Sequence, residues 1–135
     1  MVARFLGNPP MNVFPAIYQD NTAIVFNNQR LGLSPWQQQG LSSGQKFDLG
    51  IRPEHIKIYP SSAQQEADSL ILEVELVEPL GRETLIKATA PGSSIELNLL
   101  ADAQAQVRRG DRLTVKFDLS ELFFFDQNTG QRINY

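Results

Sequence analysis

The residues that could support acid–base chemistry are few and poorly placed for it. Glu73, Glu75, Glu78 and Glu83 could supply a pair of carboxylates for general acid–base catalysis. Glu73 and Glu75, however, fall on the polar side of a predicted strand, where solvation explains them. His55 is the only histidine, so an enzyme would have to rely on carboxylates or lysines instead. We therefore expect this chain not to be an enzyme.

Two further stretches superficially suggest ligand chemistry. Residues 40–46, GLSSGQK, resemble a phosphate-binding loop, but Gln45 stands where that motif needs lysine, and no long helix follows. This stretch is better interpreted as a turn that leads into a strand. Metal binding by Glu54 and His55 would need a third donor, which no spacing identifies. We predict no catalytic residue, no metal and no cofactor in this chain.

The composition limits the classes of binding partner and the cellular compartment that we expect for this chain. The 135 residues, 41% hydrophobic and 20% charged, suffice for one domain with a core or for two small subdomains that share one. A formal net charge of -3 argues against nucleic acid and anionic lipid as partners. The absence of cysteine excludes disulfides and thiolate metal sites, which favours a reducing, cytosolic setting. No apolar run approaches the roughly 20 residues of a membrane-spanning helix, and the N-terminus does not read as a signal peptide.

The dominant hydrophobic period is two, which predicts strands almost everywhere. In residues 70–78, for example, Leu70, Leu72, Val74 and Leu76 are predicted to face the core. The predicted strands are 13–18, 22–26, 29–33, 46–52, 55–59, 70–78, 83–90, 94–99 and 112–118.

Turns and short helices are predicted to separate these strands. Asn27 and Asn28 tolerate positive φ and suit a tight turn, and Ser34 before Pro35 predicts a brief helix over 35–39. A second short helix is predicted over 101–106, and residues 60–69 have the composition of a linker. Many short strands without long crossover helices predict an all-β fold of small barrels with one or two short helices.

Four phrases give the sequence a family resemblance: FLGNPPMN at 5–12, LGIRPEHI at 49–56, EPLGRET at 78–84 and FDQNTG at 125–130. In this order and spacing they resemble the C-terminal regulatory domain, a transport-associated OB (TOBE) domain, of ATPase subunits of maltose-type sugar ABC importers. The family often places a histidine two residues before the final Phe-Asp, where this chain has Phe123.

The resemblance implies two packed OB-fold-like barrels within a single regulatory domain, 1–135, whose halves 1–60 and 70–135 interleave. It also implies an upstream ATPase domain, absent from this chain, that would bind ATP and Mg. The parent subunit would lie on the cytoplasmic face of the inner membrane. The implied partners are a second copy of the chain, the upstream ATPase domain, the permease subunits indirectly, and a regulatory protein or small ligand, with no nucleic acid.

The resemblance points to one dimerisation or regulatory surface, formed by Gly50, Arg52, Glu54, His55, Gly81 and Glu83. Glycine at 50 and 81 would provide backbone freedom or close approach, with Gly81 in a tight hairpin turn. Pro53 holds Arg52 extended, so that its guanidinium could pair with Glu54 or Glu83, or contact another subunit.

For two side chains the sequence allows more than one role. The carboxylate of Glu83 could accept N–H groups of its own turn, or reach Arg52 and a regulatory partner. Trp36, the only tryptophan, could pack in the core or anchor a partner.

Two other functions compete with a regulatory and dimerisation domain of a sugar importer. One is a small-ligand or oxyanion-sensing OB-type domain of another ABC importer ATPase, of the kind that binds molybdate. The other is an oligonucleotide-binding barrel, which the net acidity opposes.

Overall fold

The computed structural model describes residues 9–59 and 69–133, and these form two five-stranded antiparallel sheets. Sheet A has the strand order β10-β4-β1-β2-β3, with β1 (Asn12–Gln19), β2 (Thr22–Val25), β3 (Gln29–Gly32), β4 (Lys46–Ile51) and β10 (Phe123–Phe125). Sheet B has the order β5-β9-β6-β7-β8, with β5 (Ile56–Tyr59), β6 (Ser69–Pro79), β7 (Glu83–Thr89), β8 (Glu96–Asp102) and β9 (Arg112–Phe117). The prediction of an all-β fold is confirmed.

Short helical segments are the only other regular elements in the described ranges. They are α1 (Pro35–Gln38) and two 3₁₀ turns, Pro53–His55 and Leu119–Glu121. Ser34 caps α1, and its backbone N–H donates to Oε1 of Gln37 at 2.9 Å, as a capping box requires. The helix predicted from the Ser34-Pro35 signal is therefore confirmed. None of the helices in the described ranges is long and apolar enough to cross a bilayer.

Each 3₁₀ turn carries the chain from one sheet to the other. Pro53–His55 connects β4 of sheet A to β5 of sheet B, and Leu119–Glu121 connects β9 of sheet B to β10 of sheet A. Each sheet thus contains one strand from the part of the chain that forms most of the other. The division into halves at 1–60 and 70–135 remains a prediction, and residues 60–68 of the predicted linker lie outside the described residues.

One hydrophobic core lies between the sheets. Phe14 of sheet A contacts Phe26 at 4.9 Å and Phe117 of sheet B at 6.1 Å between ring centroids, while Phe47 contacts Phe124 at 5.1 Å. All five rings are buried. Each such ring contributes roughly 1.5–3 kcal/mol by leaving water.

The residues of β6 that were predicted to face the core do so, with one exception. Leu70, Leu72 and Val74 are buried, but Leu76 is 48% exposed. The pairing of β6 with β7 shifts register between Val74 and Leu76, so one extra residue turns the rest of the strand over. Val77 packs against the core instead. The inward orientation predicted for Leu76 is wrong because a bulge is not visible in the alternation.

The helix predicted over 101–106 is also wrong. Ala101 and Asp102 are the last residues of β8, where Ala101 pairs with Thr84 of β7, and the chain then turns. The Asp102 carbonyl accepts the N–H of Ala105 at 3.0 Å and the hydroxyl of Thr84 at 3.0 Å. A helix of one or two turns is too weak to compete with a continuing sheet ladder.

The turns between the first three strands place four residues other than glycine at positive φ. The β1–β2 turn has Asp20 at +52° and Asn21 at +65°. The β2–β3 turn has Phe26 at +53° and Asn27 at +73°, so the prediction holds for Asn27, while Phe26 takes the position expected for Asn28. Phe26 tolerates this strained backbone because its ring is buried against Phe14.

Candidate functional site

The structure distributes the predicted site residues over several places. Gly50 and Arg52 lie at the end of β4 beside β10, Glu54 and His55 lie in the first 3₁₀ turn, and Gly81 and Glu83 belong to the β6–β7 hairpin. Trp36 is in α1. Of these residues, the groove between β5 and β8 contains only Glu54 and His55 in the part of the chain that the structure describes.

Gly50 occupies a position where a side chain has no room. It pairs with Val13 of β1 on one side and with Phe123 of β10 on the other. A Cβ atom here would lie 2.7 Å from Sδ of Met11 and 3.0 Å from Cε2 of Phe125. The close approach predicted for Gly50 is confirmed.

Arg52 is extended before Pro53, with φ -76° and ψ 147°, as the sequence predicted. Its guanidinium carbon lies 5.2 Å from the centroid of the Phe123 ring, and that of Arg132 lies 4.9 Å from the same centroid. Within the described residues Arg52 makes no ion pair with Glu54 or Glu83. Of the alternatives for Arg52, the internal ion pair is therefore not formed and the guanidinium lies over an aromatic ring instead. Contact with another subunit remains a prediction.

The outward side of sheet A around the buried Gly50 is a surface that we call the aromatic face: Val13, Phe123 and Phe125, with Arg52 and Arg132. Val13 is 53% exposed, and the Phe123 and Phe125 rings stack with centroids 6.3 Å apart. A rigid apolar surface of this kind, bordered by arginine, has the composition of the central residues of protein interfaces.

The first 3₁₀ turn fixes His55 and Glu54 between the sheets. Pro53 is buried, and the His55 carbonyl accepts the N–H of Asp118 at 2.9 Å. His55 Nδ1 is 3.7 Å from Oε1 of Glu121 and makes no hydrogen bond with any described group. Across 9–59 and 69–133, no three His, Cys, Asp or Glu side chains converge as metal ligands.

The hairpin between β6 and β7 needs glycine at position 81. Gly81 has φ +95°, a conformation that other residues rarely adopt, and no atom lies within 4 Å of the place a Cβ would take. The N–H of Leu80 donates to the backbone carbonyl of Glu83 at 2.8 Å.

The contacts predicted for the Glu83 carboxylate are not those the structure shows. Within the described residues, this exposed carboxylate accepts no N–H of its turn and makes no ion pair with Arg52. Only the backbone of Glu83 closes the turn. A contact of its side chain with a partner remains a prediction. Leu76 and Leu80, 48% and 40% exposed, add apolar surface to this hairpin.

Trp36 is 41% exposed, so it is not a fully buried core residue. The core position in α1 belongs to Gln37, whose Nε2 donates to the carbonyl of Leu119 at 2.6 Å. The role of Trp36 as a partner anchor remains a prediction.

The sequence analysis missed the side-chain amides that join the two sheets. Asn12 donates to the Asn98 carbonyl at 2.9 Å and accepts the Asn98 N–H at 2.7 Å. Gln29 makes the same paired contact with Ile71, at 3.1 and 2.8 Å. The one available signal was the amide side chain itself, just before the strand predicted at 13–18 and at the first residue of the strand predicted at 29–33.

Comparison with protein families gives two matches, which overlap at residues 49–56. Residues 7–56 match the MalK OB fold domain, and residues 49–125 match the TOBE domain. The second match covers more than half of the chain and includes Gly50, Arg52, Glu54, His55, Gly81 and Glu83.

Curated relatives resemble the chain over nearly its whole length. The sn-glycerol-3-phosphate import ATP-binding protein UgpC of Cupriavidus necator is 33% identical over 98% of the chain, and that of Chromohalobacter salexigens is 32% identical over 93%. The trehalose/maltose import ATP-binding protein MalK of Thermococcus litoralis is 32% identical over 98%. The matched segment is 37%, 32% and 37% of these relatives, so the chain spans about a third of their length.

A solved structure shares the fold. The cytoplasmic molybdate-binding protein ModG, with molybdate bound, superposes with a TM-score of 0.67 over 84% of this chain and 94% of that chain. The sequence identity is 11%, so the likeness concerns the fold alone.

Proposed function

Because the chain belongs to the TOBE domain family, we propose that it is the C-terminal regulatory and dimerisation domain of the ATP-binding subunit of a carbohydrate ABC importer. The observation that carries this proposal is the tandem of a MalK OB fold domain and a TOBE domain over 7–125. Relatives named as import ATP-binding proteins for sn-glycerol-3-phosphate and for trehalose and maltose support it.

In this proposal the parent subunit carries ATP and Mg on an upstream nucleotide-binding domain and lies at the cytoplasmic face of the membrane with its permeases. The present chain supplies neither hydrolysis nor transport. It holds two subunits together while their nucleotide-binding domains open and close, and it receives regulatory signals from a protein or small ligand.

The aromatic face is the surface to which we assign the second copy. It combines an exposed apolar centre at Val13 with fixed aromatic rings and two arginines. Arg52 in addition lies in the RPEH phrase at 52–55. Interfaces inside multidomain assemblies are modest in area, so the isolated chain should dimerise weakly.

Sedimentation velocity over a range of concentrations tests the dimer. We expect reversible dimerisation, which Arg52→Glu weakens by about tenfold or more because it removes the cation over Phe123 and puts a carboxylate beside an aromatic face. Arg109→Glu, an equal charge change at an exposed residue outside the aromatic face, is the matched control. A wild-type chain that stays monomeric when concentrated, together with a full-length ATPase dimer that Arg52→Glu leaves unchanged, would remove this interface.

The alternative function, oxyanion sensing, predicts a different experimental result. It requires saturable binding of molybdate or a related oxyanion to the chain. Isothermal titration with molybdate distinguishes the two functions, since the regulatory and dimerisation role requires no oxyanion.

A further inference from the structure

The outward side chains of β4 and of the turn after it carry charges whose signs are ordered about Gly50. Residues 47, 49, 51 and 53 are buried, so the residues between them form an outward row. This row is Lys46, Asp48, Gly50, Arg52 and Glu54, and we call its four charged members the charge row. A base lies opposite an acid at two positions from Gly50, and again at four positions. The row read backwards therefore has the opposite charge at every position.

The charge row forms no ion pair inside one copy, as far as the described residues extend. The guanidinium of Arg52 lies over the Phe123 ring, and Oδ1 of Asp48 accepts Nε2 of Gln127 at 3.2 Å. Arg52 and Asp48 are four residues apart on one strand, or about 13 Å, which is too far for a contact between them. Lys46, Arg52 and Glu54 are exposed, and Asp48 is half-buried. These charges are therefore available to a partner.

Apolar side chains surround the centre of the row. Val13 of β1 and Phe123 of β10 pair with Gly50, and the thioether of Met11 and the ring of Phe125 occupy the space beside it. The centre of this surface is therefore apolar, and the charges lie on either side of it. Protein interfaces have this arrangement, because charged residues are depleted at their centre.

Two copies of a sheet that pack face to face around a two-fold axis can adopt two orientations. If the axis runs along β4, each residue of the row lies opposite its own copy, and Arg52 meets Arg52. If the axis crosses β4 at Gly50, the two β4 strands run antiparallel, so Arg52 meets Asp48 and Lys46 meets Glu54. Each of these contacts then occurs twice. The charge row favours the antiparallel orientation and disfavours the other by repulsion.

We propose that the second copy packs on the aromatic face with its β4 antiparallel, so that Arg52 of each copy pairs with Asp48 of the other. Sheets that pack face to face lie about 10 Å apart, a distance that the two side chains together span. This inference rests on the proposed dimerisation and adds its orientation and the residues that determine it. A partner without the same order of charges would leave some of them unpaired, so the row also gives specificity for a second copy.

The test exchanges the two charges in the full chain. Arg52→Glu alone or Asp48→Lys alone places like charges opposite each other at both contacts, so we expect each dimer to be about tenfold weaker or worse. A chain with both substitutions again has opposite charges at both contacts, and its dimer should be within about threefold of the wild type. The matched control is Asp48→Lys/Arg109→Glu, which has the same net charge but changes an exposed arginine outside the aromatic face and the charge row. This control should stay as weak as Asp48→Lys. Sedimentation equilibrium measures the affinities.

An equimolar mixture of the two single variants tests whether the pair forms between copies. In the mixed dimer the introduced carboxylate of one chain faces the introduced amine of the other, and the second contact keeps its native Arg52 and Asp48. We therefore expect the mixture to dimerise at a concentration where each variant alone is monomeric. A compensation inside one chain could not produce this result.

Circular dichroism checks that each variant folds. If Asp48→Lys does not fold, Asp48→Asn takes its place, because it keeps an oxygen that can accept from Gln127. We expect Asp48→Asn to weaken the dimer about threefold. Arg52→Gln should then reduce affinity less in the Asp48→Asn chain than in the wild type, since its partner is already neutral.

Two results would overturn the proposal, and they distinguish it from the proposed function. If the wild type dimerises but neither the exchanged chain nor the mixture recovers affinity, the pairing of Arg52 with Asp48 is wrong and the dimerisation stands. If the wild type and every variant stay monomeric when concentrated, the pairing and the dimerisation of the chain are both wrong.

Discussion

At the scale of single residues, Gly50 is the position where one added atom should most clearly reduce the stability of the fold. We expect Gly50→Ala to lower the free energy of unfolding by about 1–3 kcal/mol, because the new methyl group overlaps Met11 and Phe125. The thioether of Met11 is flexible and can move, whereas the Phe125 ring is stacked on Phe123. Urea denaturation of the single variant measures the loss.

The double variant Gly50→Ala/Met11→Ala is the control for this explanation. Removal of the nearest atom should recover part of the stability, so the two substitutions should not be additive. Strict additivity would mean that Met11 is not the atom that meets the new side chain.

Phe123 shows what the sequence could and could not reveal at this scale. The sequence predicted that Arg52 would be extended, because Pro53 restricts the residue before it, and the structure confirms it. It did not reveal the partner of Arg52. That partner is an aromatic ring about 70 positions away in sequence, brought to Gly50 by the pairing of β10 with β4. Long-range pairing of this kind leaves no local signal.

At the scale of elements, the amide of Asn12 should stabilise the contact between the sheets. Asn12→Ala would leave the N–H and carbonyl of Asn98 without their partners, so we expect a loss of about 1–3 kcal/mol. Asn98→Ala is the matched control, because Asn98 contributes backbone groups alone to this contact. Thermal or urea unfolding of both variants provides the measurement, and equal losses would contradict this account.

The β6–β7 hairpin carries the prediction about regulation. Gly81→Asp places a side chain at φ +95° beside Glu83, which should cost about 1–3 kcal/mol of local strain. Gly81→Asn, uncharged and more tolerant of positive φ, separates strain from charge. In the full-length subunit we expect Gly81→Asp to change the regulation of transport while basal ATP hydrolysis stays nearly intact.

Transport and ATPase assays on the same preparation check this expectation. A parallel loss of basal hydrolysis and regulation in a protein that circular dichroism shows to be folded would mean that the hairpin is not a separate regulatory element.

Strands and turns could be predicted where the alternation of hydrophobic and polar residues, or the turn-forming residues themselves, determine the local structure. Strand β7 follows the sequence prediction closely, with Ile86 and Ala88 buried. The failures arise where tertiary pairing decides. The bulge that exposes Leu76 depends on how β6 meets β7, and the strand at Ala101 depends on Thr84. Neither the bulge in β6 nor the extension of β8 to Ala101 can be predicted from the amino acids of that segment alone.

At the scale of the whole molecule, we predict that the isolated chain neither binds nor hydrolyses ATP. It has no phosphate-binding loop at 40–46, where a turn precedes β4, and its carboxylates form no acid–base pair that the sequence analysis could identify. Phosphate release and a thermal shift with ATP test both parts, with a buffer blank and a nucleotide-free sample as controls. Saturable stabilisation by ATP, or turnover that persists after repurification, would contradict the prediction.

The exchange of strands between the sheets makes a last prediction about folding. Residues 1–68 alone would lack β10 beside β4, and residues 69–135 alone would lack β5 beside β9. Each fragment would also expose one side of the core, because Phe14 packs on Phe117 across the two sheets. We therefore expect neither fragment to fold cooperatively, the two fragments to fold when mixed, and the intact chain to unfold in a single transition. Urea titrations followed by both circular dichroism and tryptophan fluorescence test this, since Trp36 lies in the first fragment. A fragment that unfolds cooperatively alone, or probes whose transitions do not coincide in the intact chain, would show that the halves are independent units.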